Sequence, residues 1–406
     1  MAEWPEDVDA AAALAAAGLR PVPFRQFILK VHSRCDLRCD YCYIYEHADQ
    51  SWREQPRRMS LHTVDQTARR IAQHVERNRQ DSIELILHGG EPLLAGAELL
   101  AYAVTRIRAA VPDTRVRATI QTNGLRLDEK HLGLFDLLGV TVGVSMDGTA
   151  AMHDRHRRRA DRSGSHAAVA AAVRRLAGPA WRHLFAGLLC TIDLRNDPVE
   201  TYEALLEFQP PAIDLLLPHG NWTTPPPGRD ASQAAPYGRW LCAVFDRWYG
   251  APRRDTGIRL LEEVINLLLG GRSRSEQIGL SPSATVVVAT DGGIEQSDVL
   301  KSVRHGAAAT GLNVATSGFD EVLLAPGIVA RQLGVAALCG VCRDCGEHRV
   351  CGGGLYAHRY RRGSGFSNPS VYCDDLKYLI RHVRARLRAD LSAAVAARSA
   401  PSDAAA

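Results

Sequence analysis

Cys35-Asp-Leu-Arg-Cys39-Asp-Tyr-Cys42 puts three thiols on one short loop in Cx3Cx2C spacing. The count of three is informative. A 4Fe-4S cluster has four irons that each need a ligand, so three thiolates leave one iron open to a non-protein group. The amino and carboxylate groups of S-adenosylmethionine (SAM) can fill that place. An electron passed into SAM then breaks a carbon–sulfur bond and yields a 5'-deoxyadenosyl radical, which takes hydrogen from an unactivated carbon. Zinc is the competing reading, but closed zinc sites want four ligands, typically as spaced pairs.

Eight of the ten cysteines fall in two clusters separated by roughly 300 residues, as metal ligands do. The second cluster is Cys339-x2-Cys342-x2-Cys345-x5-Cys351, followed by Gly352-Gly-Gly354 and later Cys373. Cys342, Cys345, Cys351 and Cys373 supply enough thiolates to close a complete second 4Fe-4S site. A four-cysteine zinc site is the alternative. Cys339 is then surplus or an alternative ligand. Cys190 and Cys242 stand in apolar surroundings and read as buried small hydrophobes.

The elements that must position these thiols alternate in type. Strands are expected at 24–32, 83–88, 116–121, 141–145, 183–192 and 213–217, and helices at 60–79 (capped by Ser60), 95–110, 128–138, 165–176 and 198–208. About six strand–helix units predict a parallel sheet of α/β class, an open, partial (β/α)6 version of the eight-stranded TIM barrel, with chemistry at the C-terminal strand ends. The cysteine loop, Gly89-Gly-Glu-Pro92, Thr122-Asn-Gly124 and Met146-Asp-Gly148 all fall at such ends. Beyond them come helices at 237–249 and 258–269, a strand at 284–289 turning at Asp291-Gly-Gly293 into a hairpin, and a closing helix from 374 to about 398.

Gly89 and Gly90 let backbone approach a ligand closely, and Glu91 is suited to a ligand ammonium. Asn123, Ser145 and Asp147 are small polar groups suited to ribose hydroxyls or the methionine carboxylate; each is also an ordinary turn or cap residue. In the run His153-Asp-Arg-His-Arg157, Arg155 is the candidate for binding a carboxylate or peptide backbone through its planar fork of donors.

Composition is that of a folded globular protein: 46% hydrophobic and 23% charged over 406 residues. A net charge of +4 gives no argument for nucleic acid or an anionic membrane. Only four of the 49 basic residues are lysine, which reads as genome composition. There is no basic, apolar start of a signal peptide and no run of about 18 apolar residues, so a cytoplasmic protein is expected, in a compartment where disulfides are disfavoured. The shift at Pro218–Pro227 suggests a boundary. The expected division is an N-terminal segment 1–23, the partial barrel 24–220, an α+β extension 221–376 and a C-terminal helix and tail 377–406.

Taken together, Cx3CxxC with Tyr41, Gly-Gly-Glu-Pro, Thr-Asn-Gly and Met-Asp-Gly resemble the radical SAM enzymes, and the C-terminal cysteines resemble their SPASM (or twitch-like) extension. More narrowly, Lys30-Val-His-Ser-Arg-Cys35, Tyr43-Ile-Tyr-Glu-His-Ala-Asp-Gln-Ser-Trp52, Pro218-His-Gly-Asn-Trp222, Cys351-Gly-Gly-Gly, His358-Arg-Tyr and Asn368-Pro-Ser-Val-Tyr-Cys373 resemble the FxsB-type peptide maturases. The resemblance runs from about Phe24 to Leu376. It implies Tyr41 beside the adenine, SAM held by Tyr41, Gly89, Gly90, Glu91, Asn123, Ser145, Asp147 and Arg155, and an external electron donor. The implied substrate is a ribosomally synthesised precursor peptide, in which an aromatic ring carbon is joined to the β-carbon of a nearby residue to make a cyclophane. One proton and one electron then remain to be removed; Asp298, before Glu295 or Asp291, is the implied base, and an auxiliary cluster the implied electron acceptor.

A full SPASM pattern carries a Gly-x4-Cys-Asp element, where this chain has Gly292-x4-Ser297-Asp298, and often a further cysteine where this chain has Leu355. Both losses fall on one auxiliary cluster, so a single one is expected, held by Cys342, Cys345, Cys351 and Cys373. The stretch before Phe24 is expected to be too short for a separate leader-binding domain, leaving recognition to strand addition at a sheet edge. Other readings are thioether formation, epimerisation, sulfatase-type side-chain oxidation, and a non-enzymatic metal-binding scaffold.

Overall fold

The computed structural model describes residues 3–6, 8–228 and 234–399, with side chains as far as 395. The expected tail at 400–406 lies outside the described residues.

Seven strands run parallel and in chain order: β1 Gln26–His32, β2 Ser82–Gly89, β3 Arg115–Thr122, β4 Val140–Ser145, β5 Phe185–Thr191, β6 Ala212–Leu216 and β7 Gly257–Ile258. This is the partial α/β barrel that the alternation predicts. Its strands are rich in Val, Ile and Leu because helices cover them; Phe27, Leu29 and Val31 of β1 are fully buried. Helix Leu61–Asn78 starts at Ser60, whose side chain accepts from the Thr63 amide, and stops at Arg79 in the left-handed region (φ 49°). Helix Glu129–Leu138 is capped in the same way by Asp128 and closed by Gly139 (φ 55°). The buried cysteines Cys190 and Cys242 lie in the core, as expected.

The boundary expected at 220/221 does not divide the sheet. After helices Pro236–Tyr249 and Arg259–Leu268, strand β8 (Thr285–Val288) returns to pair parallel with β1, placing Val287 beside Ile28. It turns into β9 (Gly293–Glu295), which pairs with β10 (Ala309–Asn313), both antiparallel. The result is one ten-stranded sheet, β10-β9-β8-β1-β2-β3-β4-β5-β6-β7. The pairing is invisible to composition because its partners lie far apart in the chain.

The terminal segments are likewise part of the body. Helix Ala10–Ala16 packs Leu14 against Val329, Leu333 and Ala337, and the Phe366 amide donates to the Trp4 carbonyl (3.2 Å). The long helix Cys373–Ser399 meets Pro236–Tyr249 at Gly238, where an added Cβ would lie 2.5 Å from the Asp375 carbonyl oxygen. No helix among the described residues is long and apolar enough to cross a membrane.

Phe27 joins the two halves of this core: its ring lies 5.1 Å from Phe319 and 6.0 Å from His74. Phe27→Ala should cost about 3–5 kcal/mol, and urea unfolding followed by tryptophan fluorescence should still show a single transition, shifted to lower urea. Two separated transitions would mean that the extension folds apart from the barrel.

Candidate active site

β1 delivers the chain directly into the cysteine loop, and the end of β2 fixes that loop's position. The Gly90 amide donates to the His32 carbonyl (2.9 Å), and the Glu91 amide to the Arg34 carbonyl (3.0 Å). A Cβ at Gly89 would lie 2.1 Å from the His32 oxygen; at Gly90 it would lie 1.9 Å from the Tyr45 hydroxyl and 2.5 Å from the Arg34 oxygen. The two glycines are needed first for the approach of the cysteine loop itself. They then line the cavity beside the thiols.

That cavity has a volume of about 330 Å³, and Cys35, Cys39 and Cys42 form one wall. The Cys35 sulfur receives the Leu37 amide (3.4 Å) and the Asn123 side-chain amide (3.7 Å). Asn123 also donates to Asp36 (2.8 Å). Burial pushes the Cys39 thiol up to about 12 and raises Cys35 and Cys42 as well. Bare thiols here would be neutral, and a cationic iron cluster is the kind of partner that makes them thiolates. The donor set fits the group that the spacing implies.

The expected SAM residues separate into three kinds. Tyr41, Gly89, Gly90, Asn123 and Ser145 line the cavity, where Ser145 accepts from Gln121 (3.1 Å). Asp147 and Glu91 are brought close, but buried behind it. Asp147, 3% exposed, takes the Tyr41 hydroxyl and Arg157 Nε (2.9 Å) on one oxygen and the Thr191 amide (3.0 Å) on the other. Glu91, fully buried, accepts from the Leu93 amide (3.0 Å), the Thr122 hydroxyl (2.7 Å) and the Asn123 amide (2.8 Å), and burial pushes its carboxyl up to about 7. It ties the ends of β2 and β3 together.

Arg155 is directed elsewhere, donating to Asp193 (2.6 Å) and Asn196 (2.7 Å). The arginine at the cavity is Arg157, whose guanidinium lies 5.6 Å from the centre of the Tyr41 ring. Sequence reasoning also passed over Gln121, Tyr43, His88, His219 and His358, all of which line the cavity. The available signal for Tyr43, His219 and His358 was their place in the stretches that carry the finer resemblance.

Asp298, 5% exposed, sits behind the wall in an ion pair with Lys30 (2.8 Å). Burial raises its carboxyl, but Lys30 and His88 outweigh that and hold it below the usual carboxylate range. The Tyr43 hydroxyl faces it from the cavity side. Glu295 is occupied by Lys301 (2.7 Å), and Asp291 by the Gln55 amide (2.9 Å).

In the second thiol set, Cys342 feels the fields of Cys339, Cys351 and Cys373, while Cys345 acts on both Cys351 and Cys373. The four expected ligands thus share one neighbourhood, and Cys339 adjoins through a hydrogen bond to Cys342. Gly352, Gly353 and Gly354 are all left-handed (φ 60°, 80° and 67°), turning the chain away after Cys351. The buried Arg359 guanidinium gathers their three carbonyls at 2.6, 3.1 and 2.8 Å. Glu347 binds Arg384, fastening the set to the C-terminal helix.

Residues 29–192 match the Radical SAM superfamily. The chain is 22% identical over 367 residues to the cysteine-type anaerobic sulfatase-maturating enzyme of Clostridium novyi, covering 85% of this chain and 91% of that protein. It is 33% identical to the serine-type enzyme of Klebsiella aerogenes over 147 residues, 36% of this chain and 34% of the relative. Among solved structures it resembles anSMEcpe with bound AdoMet (TM-score 0.76, 19% identity, 90% of this chain and 98% of that one). It also resembles Streptococcus suis SuiB bound to its precursor peptide SuiA (TM-score 0.56, 14% identity, 90% and 79%).

Residues 29–192 are therefore a radical SAM domain. The chain is an oxidoreductase-type enzyme that uses a 4Fe-4S cluster and SAM.

Anaerobic reconstitution should give about eight irons per chain. Cys342→Ala, or Cys35, Cys39 and Cys42 all changed to Ala, should each lower the count to about four, and Cys339→Ala should leave it near eight. About twelve irons in the unmodified protein would refute a single auxiliary cluster.

Proposed function

We propose that this enzyme modifies a ribosomally synthesised precursor peptide, joining an aromatic ring carbon to the β-carbon of a nearby residue. The observation that carries the reading is the meeting of the two stretches on which the finer resemblance rests. The Trp222 amide donates to the Tyr360 carbonyl (2.9 Å), Trp222 Nε1 to the Pro369 carbonyl (2.7 Å), and the Tyr372 hydroxyl to the Pro218 carbonyl (2.5 Å). Zipped together, these stretches supply the cavity wall that contains Pro218, His219 and His358.

With cluster and SAM bound, the site supplies a carbon radical able to remove hydrogen from an unactivated carbon. The chain's residues do the rest. Tyr41, Asn123, Ser145 and Arg157 orient the SAM side, with Tyr41 and Arg157 fixed by Asp147. Leu216, Leu217, Leu260, Leu355 and Leu376 exclude water from the reacting carbon. Tyr43 presents a hydroxyl to the substrate side with Asp298 behind it, giving the departing ring proton a path to that carboxylate, and an auxiliary cluster held by Cys342, Cys345, Cys351 and Cys373 would take the remaining electron. The precursor peptide is the partner, supported by the likeness to SuiB bound to SuiA, and an external donor supplies the electron. The sheet leaves β7 and β10 as its edges for strand addition.

Oxidation of a protein side chain is the second reading, favoured by the similarity to sulfatase-maturating enzymes over most of both chains. Incubation with SAM, reductant and the precursor peptide separates the two. Ring closure and oxidation of a serine side chain both remove two hydrogens, but a ring suppresses backbone fragments between the joined residues in tandem mass spectrometry. An oxidised side chain fragments normally and reacts with a hydrazide. The expected outcome is the fragment gap without hydrazide labelling; labelling with full fragmentation would replace the first reading by the second.

A further inference from the structure

The cavity wall holds two imidazoles, each with one buried ring nitrogen that has no hydrogen-bond partner. His219 Nδ1 and His358 Nε2 are buried and have no hydrogen-bond partner, although both residues line the cavity. A folded protein seldom leaves such atoms unpaired, because burial removes their water without replacing it. His358 as a whole is only 3% exposed. The two rings lie 5.9 Å apart.

Neither ring is free to turn away. His219 stands edge-on to Tyr43 at 4.6 Å, and His358 stands edge-on to Tyr372 at 4.9 Å, whose hydroxyl is bound to the Pro218 carbonyl. The His358 amide and carbonyl are fixed by the Leu355 carbonyl (3.0 Å) and the Val371 amide (2.8 Å). Burial pushes His219 down to about 4, and His358 also lies well below the ordinary histidine value. Both are neutral at physiological pH, and a neutral imidazole offers one acceptor and one donor nitrogen. His47 and Asp298 act on His219, and Arg359 acts on His358, without reversing this. Leu216, Leu217, Leu355 and Leu376 supply much of the apolar lining of the same cavity.

Two fixed, uncharged polar atoms in an apolar cavity define a ligand with a flat apolar body and an uncharged polar edge. We propose that His219 and His358 are the specificity contacts of the substrate subsite, hydrogen-bonding the phenol or indole edge of the peptide's aromatic side chain. This deepens the peptide reading above and rests on it. Phenylalanine leaves both nitrogens unpaired.

The test uses the reconstituted, SAM-loaded enzyme and three probes that copy side chains: 4-methylphenol, 3-methylindole and toluene. By calorimetry, 4-methylphenol and 3-methylindole should bind about 5- to 10-fold more tightly than toluene, the size of one neutral hydrogen bond gained. In protein with 15N-labelled histidine, 4-methylphenol should move the His219 and His358 ring resonances, and toluene should not. His219→Leu and His358→Leu should reduce the preference to within about twofold while toluene binding persists, showing that the cavity is intact. Should toluene binding be lost as well, His219→Gln and His358→Gln decide: a preference retained supports the assignment, and a preference lost overturns it. Equal binding of the three probes to the unmodified enzyme, or a preference that survives both Leu substitutions, also overturns it. A precursor product bearing an oxidised side chain would overturn the cyclophane reading alone and leave the probe comparison standing.

Discussion

Everything in this site depends on backbone brought against backbone where β1 and β2 end. The cysteine loop leaves β1 at His32, and the Gly89-Gly90 turn lies so close to it that a single methyl group would meet carbonyl oxygen at 2.1 or 2.5 Å. Two amide hydrogen bonds then fix the loop's height above the sheet. A loop carrying three thiols must hold them to a fraction of an ångström, and a loop does so poorly unless a rigid element supports it. Here the support is a parallel sheet with one face buried throughout β1 to β3.

A second consequence concerns buried carboxylates. Asp147 and Glu91 occupy motif positions and look from sequence like ligand-binding groups, yet each is surrounded by donors from the protein. Burying a carboxylate is costly unless several donors satisfy it, and both have three. They organise the residues that reach the cavity: Asp147 orients Tyr41 and Arg157, and Glu91 fixes the amide of Asn123. The two acids act one step behind the surface that a ligand would touch.

Much of this was legible in the sequence because it is local. Thiol spacing, the strand that ends in them, the caps at Ser60 and Asp128, and the glycine turns each depend on residues within a few positions. Telling Arg155 from Arg157 needs non-local information. Helix Ala150–His156 ends between them, so Arg155 stays on its last turn facing Asp193 while Arg157 leaves it and reaches Asp147. The boundary at 220 was read from a proline-rich stretch, but the pairing of β8 with β1 depends on residues more than two hundred positions apart. His219 and His358 belong to the same class: neither has a meaning until the fold sets them side by side.

The segment from Cys351 to His358 shows why the two halves of the chain must be one body. At one end it carries a thiol of the auxiliary set; at the other it forms the cavity wall through Leu355 and His358. Three successive left-handed glycines would ordinarily make such a segment loose, since glycine loses the most conformational entropy on ordering. Arg359 reverses that by binding all three of their carbonyls from within the core. Its buried charge is in turn accommodated by those carbonyl dipoles and by the face of Tyr356, 5.6 Å away. Losing Arg359 would therefore loosen the turn that joins the Cys351 thiol to the substrate wall, leaving the Glu347–Arg384 pair and the Tyr372–Pro218 hydrogen bond to hold each end by itself.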